Sequence, residues 1–257
     1  LNYFTIFTAG FTFFIAVAAT NLFHQGNWQR VYSAKNNEVL KKSLIISFLL
    51  IIPLVFMMGF TGLVAVSYNS NVVPDLAFFS LLLSEQRVIV SLVIVCLAIS
   101  LTVSSIDTLI NAISSIIVVD TKYATGYNGD SFKLSKKVLI IISVIAFIVA
   151  SKGLSILYLF LLADLFCCAA VLSIFYGFYK NKFDEKVAFV SILAGLFFGL
   201  LFFPAPDFTK SFLIGIIIPI EYIPSFISQS LLFISFILAT FLPTVFWNIK
   251  THKRKKK

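Results

Sequence analysis

One apolar segment of the sequence carries a line of polar side chains at helical spacing. Residues 88–119 are apolar over a length that can cross a membrane. Steps of four and three residues separate its polar positions, which are Ser100, Ser104, Asp107, Asn111 and Ser114. A helix would place them on one face. A carboxylate at the centre of a span costs about 2.5 to 3.5 kcal/mol on insertion scales, so such residues rarely face lipid.

The chemistry that this polar face could perform is the binding of a hard cation. Hydroxyls, backbone carbonyls and a nearby carboxylate are oxygen ligands that suit an alkali cation better than a transition metal. The alternative is that the serines bond back to their own helix and serve as small packing residues. Because Asp107 and Asn111 lie on the same face, we favour a polar pathway.

A second polar group lies at the end of the first apolar run. Its members are Thr20, Asn21, His24 and Gln25. The adjacent Gly26 could mark a helix break that lines a cavity. The alternative is that the helix leaves the membrane here, since His24 comes only six residues before Arg30. On spacing alone, that alternative is favoured.

Asp164 is the other acidic residue deep within an apolar segment. It must be protonated, paired with another span or hydrated in a cavity, and each of these places it towards the protein interior. The three cysteines, Cys96, Cys167 and Cys168, also fall in apolar segments. They have no metal-binding spacing, and we predict small core residues.

The composition excludes a soluble domain. Hydrophobic residues make up 60% of the chain, Phe alone contributes 30 residues, and the mean hydropathy is +1.01. We therefore predict an all-α membrane protein with about seven transmembrane helices. The predicted spans are 1–23, 43–68, 88–119, 138–151, 154–179, 187–203 and 228–247.

Basic residues predict the orientation of these spans. Seventeen of the 20 Lys and Arg residues fall on one side of the seven-span arrangement. The positive-inside rule then places the C-terminus in the cytoplasm, and we expect a multi-pass protein of the plasma membrane. The net charge of +9 reflects this bias in the loops, so we expect the lipid bilayer as a partner and no nucleic acid.

Two stretches of the sequence resemble the sodium:solute symporter family, which holds the sodium-coupled sugar, proline and pantothenate carriers. Residues 25–35, QGNWQRVYSAK, resemble the family's segment after its sixth core helix. Residues 103–120, VSSIDTLINAISSIIVVD, resemble its eighth core helix. The intervening PDLAFFSLLLS resembles the hairpin outside the membrane.

The resemblance implies a LeuT-type fold of two inverted five-helix repeats. Residues 1–179 would form the second repeat, core helices six to ten, and residues 180–257 would add two peripheral helices and a basic cytoplasmic tail. The chain begins with Leu inside an apolar run, from which we expect a fragment. The N-terminal repeat of the same protein would then be a missing partner that completes the binding site.

The resemblance also assigns roles to individual residues. Sodium ligands would be Leu101, through its carbonyl, and the hydroxyls of Ser104 and Ser105. Asp107 and Asn111 would belong to the pathway or its coupling. Substrate-binding positions would be Thr20, Asn21, His24, Gln25 and Asp164. The sugar carriers have aromatic residues where Thr20 and Asn21 stand, so a sugar is not the expected solute.

The function predicted from these features is sodium-coupled symport of a small polar solute. Na⁺ would be the coupling ion, with no organic cofactor and no enzymatic activity. Two alternatives come from other classes. A seven-span receptor fits the topology, and an intramembrane enzyme could use Asp107 and Asp164, although neither residue sits in a recognisable catalytic signature.

Overall fold

The computed structural model describes residues 3–69, 71–73, 76–83, 88–126, 129–179, 184–211, 213–214 and 230–255, with side chains as far as Trp247. Nine helices occupy most of these residues, and strands are absent from them. The helices are α1 (Tyr3–Phe23), α2 (Gln25–Tyr32), α3 (Asn37–Tyr68), α4 (Ala77–Leu83), α5 (Val88–Thr125), α6 (Ser131–Ala150), α7 (Ile156–Phe178), α8 (Glu185–Phe202) and α9 (Leu231–Lys255). The prediction of an all-α membrane protein is confirmed.

Five of the described helices are long and apolar enough to cross a membrane, namely α1, α3, α5, α7 and α8. In α6, three lysines occupy the first two turns, and the apolar part that follows is short. In α9, the apolar part is Leu231–Trp247, and a basic extension follows it. Whether α6 and α9 also span the membrane, as the predicted total of about seven spans requires, stays a prediction.

Local sequence signals account for several helix boundaries. The side chain of Asn36 accepts a hydrogen bond from the backbone N–H of Val39 at 2.8 Å, which caps the start of α3. Asp184 caps α8 in the same way through Val187, at 3.2 Å. After α6, Gly153 adopts a φ of 63°, a conformation that glycine tolerates without steric cost.

The chain divides into two compact units. The first unit combines Leu1–His24 with Leu154–Lys257, and the second unit is Gln25–Gly153. The first therefore contains α1, α7, α8 and α9, and the second contains α2 to α6. The predicted boundary at residue 179, between the second repeat of a transport core and two peripheral helices, is a different division, and it stays a prediction.

In the first unit, α1, α7 and α9 pack against one another, and α8 packs against α7 and α9. The core of this unit lies between these helices. Its most deeply buried side chains include Leu161, Leu165 and Cys168 of α7, with Phe236 and Ala239 of α9. This arrangement matters for function because it encloses the middle of α7, where Asp164 lies.

In the second unit, α5 packs against α6 and α2, and α3 packs against α4. Within the described structure, none of the residues in the most apolar stretches of α3 and α5 is buried. Lipid tails are as apolar as leucine, so such surfaces need no protein cover in a bilayer. With 38 residues, α5 is about 57 Å long at 1.5 Å per residue, and it must tilt or extend beyond the hydrocarbon layer.

Candidate functional site

A buried carboxylate and a hydroxyl meet between two helices of the first unit. The Thr20 hydroxyl of α1 donates a hydrogen bond to Oδ1 of Asp164 in α7, at an oxygen–oxygen distance of 2.5 Å. Asp164 is only 6% exposed. We call these two residues the α1–α7 polar pair. Asp164 lies inside the protein, as its apolar surroundings in the sequence predict.

Helical spacing explains how each partner reaches the contact. In α1, Ala16, Ala19 and Thr20 lie within four residues of one another and share a face, and both alanines are buried. In α7, Leu161 and Leu165 are buried on the same face as Asp164. Small residues on membrane helices let two backbones approach closely, which brings the Thr20 hydroxyl within reach of α7.

Two thiols extend this polar contact towards α9. Cys167 faces the Thr20 hydroxyl, and Cys168 faces the hydroxyl of Thr240 in α9. The Sγ of Cys168 also lies 3.8 Å from the carbonyl oxygen of Ile15. Three helices thus bring polar groups to one region. Thr240 was not predicted from the sequence, although a hydroxyl inside the apolar run of α9 can indicate a polar contact within the membrane.

The core prediction for the cysteines holds for two of them. Cys168 is buried and Cys167 is half-buried, but Cys96 is exposed on α5. The prediction was wrong for Cys96 because α5 has almost no buried face within the second unit. An apolar sequence of spanning length predicts membrane immersion and says little about which side faces protein.

The helices around Asp164 carry no fixed positive charge. Neither α1, α7 nor the apolar part of α9 contains Lys or Arg. A carboxylate taken out of water is costly unless a cation or a proton neutralises it. The charge partner of Asp164 is therefore a proton or a cation that comes from outside these helices.

An aromatic pair also joins α1 to α7. The rings of Phe23 in α1 and Phe175 in α7 meet edge to face, with centroids 6.1 Å apart. Phe23 follows Thr20 by three residues, so the two side chains lie on neighbouring positions of one helix face. Phe175 lies eleven residues beyond Asp164 in α7, a rise of about 16 Å, so Phe23 is the ring that neighbours the polar pair.

The chain breaks its helix where the polar residues of the first run end. His24 separates α1 from α2, and its Nδ1 atom is buried without a hydrogen-bond partner in the described part of the chain. Asn21 is exposed, and its amide donates to the carbonyl oxygen of Val17 at 2.9 Å. Gln25 begins α2 and belongs to the second unit. The roles of these three residues in substrate binding stay predictions.

The predicted sodium ligands lie together on α5, in the second unit. Leu101, Ser104 and Ser105 are all exposed there. The Ser105 hydroxyl donates a hydrogen bond to the Leu101 carbonyl oxygen at 2.9 Å. The same carbonyl also accepts a backbone hydrogen bond within α5. Because a carbonyl oxygen has two lone pairs, sodium at Leu101 would require the Ser105 hydroxyl to turn away. The sodium site stays a prediction.

The rest of the polar face on α5 divides into two contacts. Asn111 donates from Nδ2 to Oδ1 of Asp107 at 3.1 Å, and both residues are exposed in the second unit. Ser114 instead is 2% exposed, and its hydroxyl lies 2.6 Å from that of Ser135 in α6. Ser114, at one end of the polar face, therefore forms a contact between packed helices. The pathway role of Asp107 and Asn111 stays a prediction.

No family model and no solved structure matches the chain. The chain is 28% identical to a spermidine transporter of Candida albicans over 202 residues, which cover 74% of this chain and 38% of that relative. It thus spans less than half the length of the curated relative that it matches. The relative is a transporter, in agreement with the predictions of a membrane transport role and of no enzymatic activity.

Proposed function

We propose that this chain forms part of a sodium-coupled secondary active transporter of a small polar solute, with the α1–α7 polar pair in the solute site. The observation that carries the proposal is the buried carboxylate of Asp164, held by a hydroxyl from another membrane helix. Ionisable groups at such positions are costly, and they mark solute and ion pathways. The similarity to a spermidine transporter supports the same role.

Sodium coupling is proposed on the resemblance of α5 to the eighth core helix of the sodium:solute symporters. Ser104, Ser105 and the Leu101 carbonyl would bind Na⁺, and Asp107 and Asn111 would line the adjoining pathway. Sodium would favour the state that binds solute from outside. The coupling is then a difference in affinity between conformational states, as linkage requires.

The proposed architecture is the second inverted repeat of a LeuT-type fold with two peripheral helices. About seven spans would place the C-terminus in the cytoplasm at the plasma membrane. The remaining part of the binding site would come from a first repeat of the same protein. The arrangement is supported by the membrane-length helices and by the bias of basic residues to one side.

The relative transports spermidine, and spermidine is therefore the first solute to test. The test uses the protein expressed from its complete coding sequence and reconstituted into liposomes. Uptake of labelled spermidine, urea and amino acids is compared with an inward sodium gradient and with equal sodium on both sides. We expect the gradient to drive accumulation of one solute above its external concentration. Equal uptake of that solute under both conditions would contradict sodium coupling, and no protein-dependent uptake of any solute would contradict transport.

A further inference from the structure

The first unit holds one carboxylate among three helices that offer it neutral partners only. We propose that the α1–α7 polar pair binds an alkylammonium group of the solute, so that the site selects cationic over neutral polar molecules. This inference rests on the proposed transport function, because it names the class of molecule that the same site accepts. It does not require that the transport be coupled to sodium.

Charge is the first argument for an ammonium ligand. Asp164 is almost completely buried, and α1, α7 and the apolar part of α9 contain no Lys or Arg that could pair with it. A neutral solute would add hydrogen bonds, but a proton would still be needed to neutralise the buried carboxylate. An ammonium group supplies the missing charge and three N–H donors together.

Hydrogen-bond polarity is the second argument. The Thr20 hydroxyl already gives its hydrogen to Asp164, so its oxygen presents only lone pairs to a ligand. A carboxylate that pairs with an ammonium group is ionised, and it is therefore also an acceptor. A ligand that meets both residues must therefore donate, which an ammonium group does and a carbonyl or carboxylate group does not.

The surroundings suit the alkyl part of such a ligand. Phe23 lies about one helical turn from Thr20 in α1, a rise of about 4.5 Å. Methylene groups of a ligand that extends along α1 would lie against the Phe23 ring, and aromatic faces also attract cations. The half-buried thiol of Cys167 faces the Thr20 hydroxyl. A ligand bound at the polar pair should therefore shield this thiol from a thiol reagent.

The test measures alkylation of Cys167 in the complete protein in liposomes. N-ethylmaleimide is the reagent, and mass spectrometry follows the labelled peptides. The probes are 1,4-diaminobutane and 1,4-butanediol, which have the same carbon chain and differ in charge. At saturating diamine, roughly ten times its dissociation constant, about a tenth of the sites stay free, so labelling of Cys167 should slow about tenfold. Butanediol should have no effect, and Cys96 on α5 serves as the internal reference.

Two variants locate the effect. Asp164→Asn keeps the size and an acceptor for Thr20 but removes the charge, and it should abolish protection by the diamine. Asp207→Asn is the matched control, because Asp207 is an exposed carboxylate in the loop after α8, and it should keep full protection. Equal protection by both probes, or protection that persists in Asp164→Asn, would overturn the proposal. So would the absence of protection in the wild-type protein, which would leave Asp164 as a structural group.

The result stays decisive if Asp164→Asn misfolds, which would be seen as rapid labelling of the buried Cys168. The comparison of diamine with diol in the wild-type protein then decides alone. The outcome is also separable from that of the transport test. Diamine protection without sodium-driven uptake would contradict the proposed coupling only. Sodium-driven uptake of a neutral solute without diamine protection would contradict the cation site only.

Discussion

Thr20 and Asp164 illustrate how one hydrogen bond can define a site inside a membrane protein. They are 144 residues apart in the chain, and each comes from a different helix. A charged or polar group inside a bilayer must find a partner within the protein, because water is absent there. The hydroxyl gives one such partner to the carboxylate and joins α1 to α7 at this point.

Loss of the Thr20 hydroxyl should destabilise the protein. Thr20→Val keeps the shape of the side chain but leaves the buried carboxylate without this donor, at a cost of about 1 to 3 kcal/mol. Thr20→Ser keeps the donor and should cost less. Thermal unfolding of the two variants in detergent, followed by thiol exposure, measures the difference. Identical midpoints for Val and Ser would show that the hydrogen bond does not contribute to stability.

Ser105 and Ser114 belong to the same polar face but differ in their partners. Ser105 bonds to its own helix and is exposed, whereas Ser114 is buried against Ser135 of α6. We expect Ser105→Ala to raise the sodium concentration for half-maximal uptake far more than Ser114→Ala does, because only the first removes a proposed oxygen ligand. Sodium titration of uptake measures this.

In stability, the larger effect should come from Ser114→Ala rather than from Ser105→Ala. Ser114→Ala leaves the Ser135 hydroxyl without this partner and should lower the unfolding midpoint, whereas Ser105→Ala should change it little. A common sodium dependence in the two variants would remove Ser105 from the proposed ion site. Unchanged stability of Ser114→Ala would show that the contact between α5 and α6 tolerates its loss.

At the scale of elements, the seam between α8 and α9 depends on glycine. A Cβ atom at Gly195 would lie 2.8 Å from the carbonyl oxygen of Ala239 and would also collide with Pro243. At Gly199, it would lie 2.9 Å from the Cβ of Ala239. The Ser235 hydroxyl uses this close approach and donates to the Gly199 carbonyl at 2.7 Å. The seam fixes α9 in the bundle that encloses Asp164.

Alanine at Gly195 should therefore destabilise the first unit. Overpacking against the Ala239 carbonyl and Pro243 costs about 1 to 3 kcal/mol. Gly59 of α3 is the matched control, since a Cβ there meets nothing within 4 Å. Gly59→Ala should be neutral or stabilising by up to about 1 kcal/mol, because alanine favours helix. Unfolding midpoints of the two variants check this, and shifts of the same sign and size would contradict the close packing of α8 on α9.

The helices themselves were largely predictable. The apolar runs at 154–179 and 187–203 anticipate α7 and α8 to within a few residues, because apolar length is a local property. The run at 88–119 was extended in the structure, where α5 continues to Thr125. The additional residues, 120–125, include Asp120, Thr121 and Lys122, which lower the hydropathy although the helix continues through them.

At the scale of the whole molecule, α8 offers a direct test of the proposed topology. It begins at Glu185 and is followed by a loop that contains Asp207, so a spanning α8 places these residues on opposite sides. With the C-terminus in the cytoplasm, Glu185→Cys should be protected from an impermeant thiol reagent in intact cells, and Asp207→Cys should be labelled. Permeabilised cells give the control in which both are labelled. Labelling of Glu185→Cys with protection of Asp207→Cys in intact cells would reverse the topology, and the same result at both positions would mean that α8 does not span.

The sequence by itself determined the membrane class, most helix positions and the interior location of Asp164. These follow from hydropathy and from the cost of a charge in lipid, both of which act within a few residues of chain. Only the tertiary structure decided that Thr20 is the partner of Asp164 and that Ser114 packs against Ser135. The physical reason is that a hydroxyl at helical spacing has the same local pattern in either role, and the choice depends on which helix packs against its face.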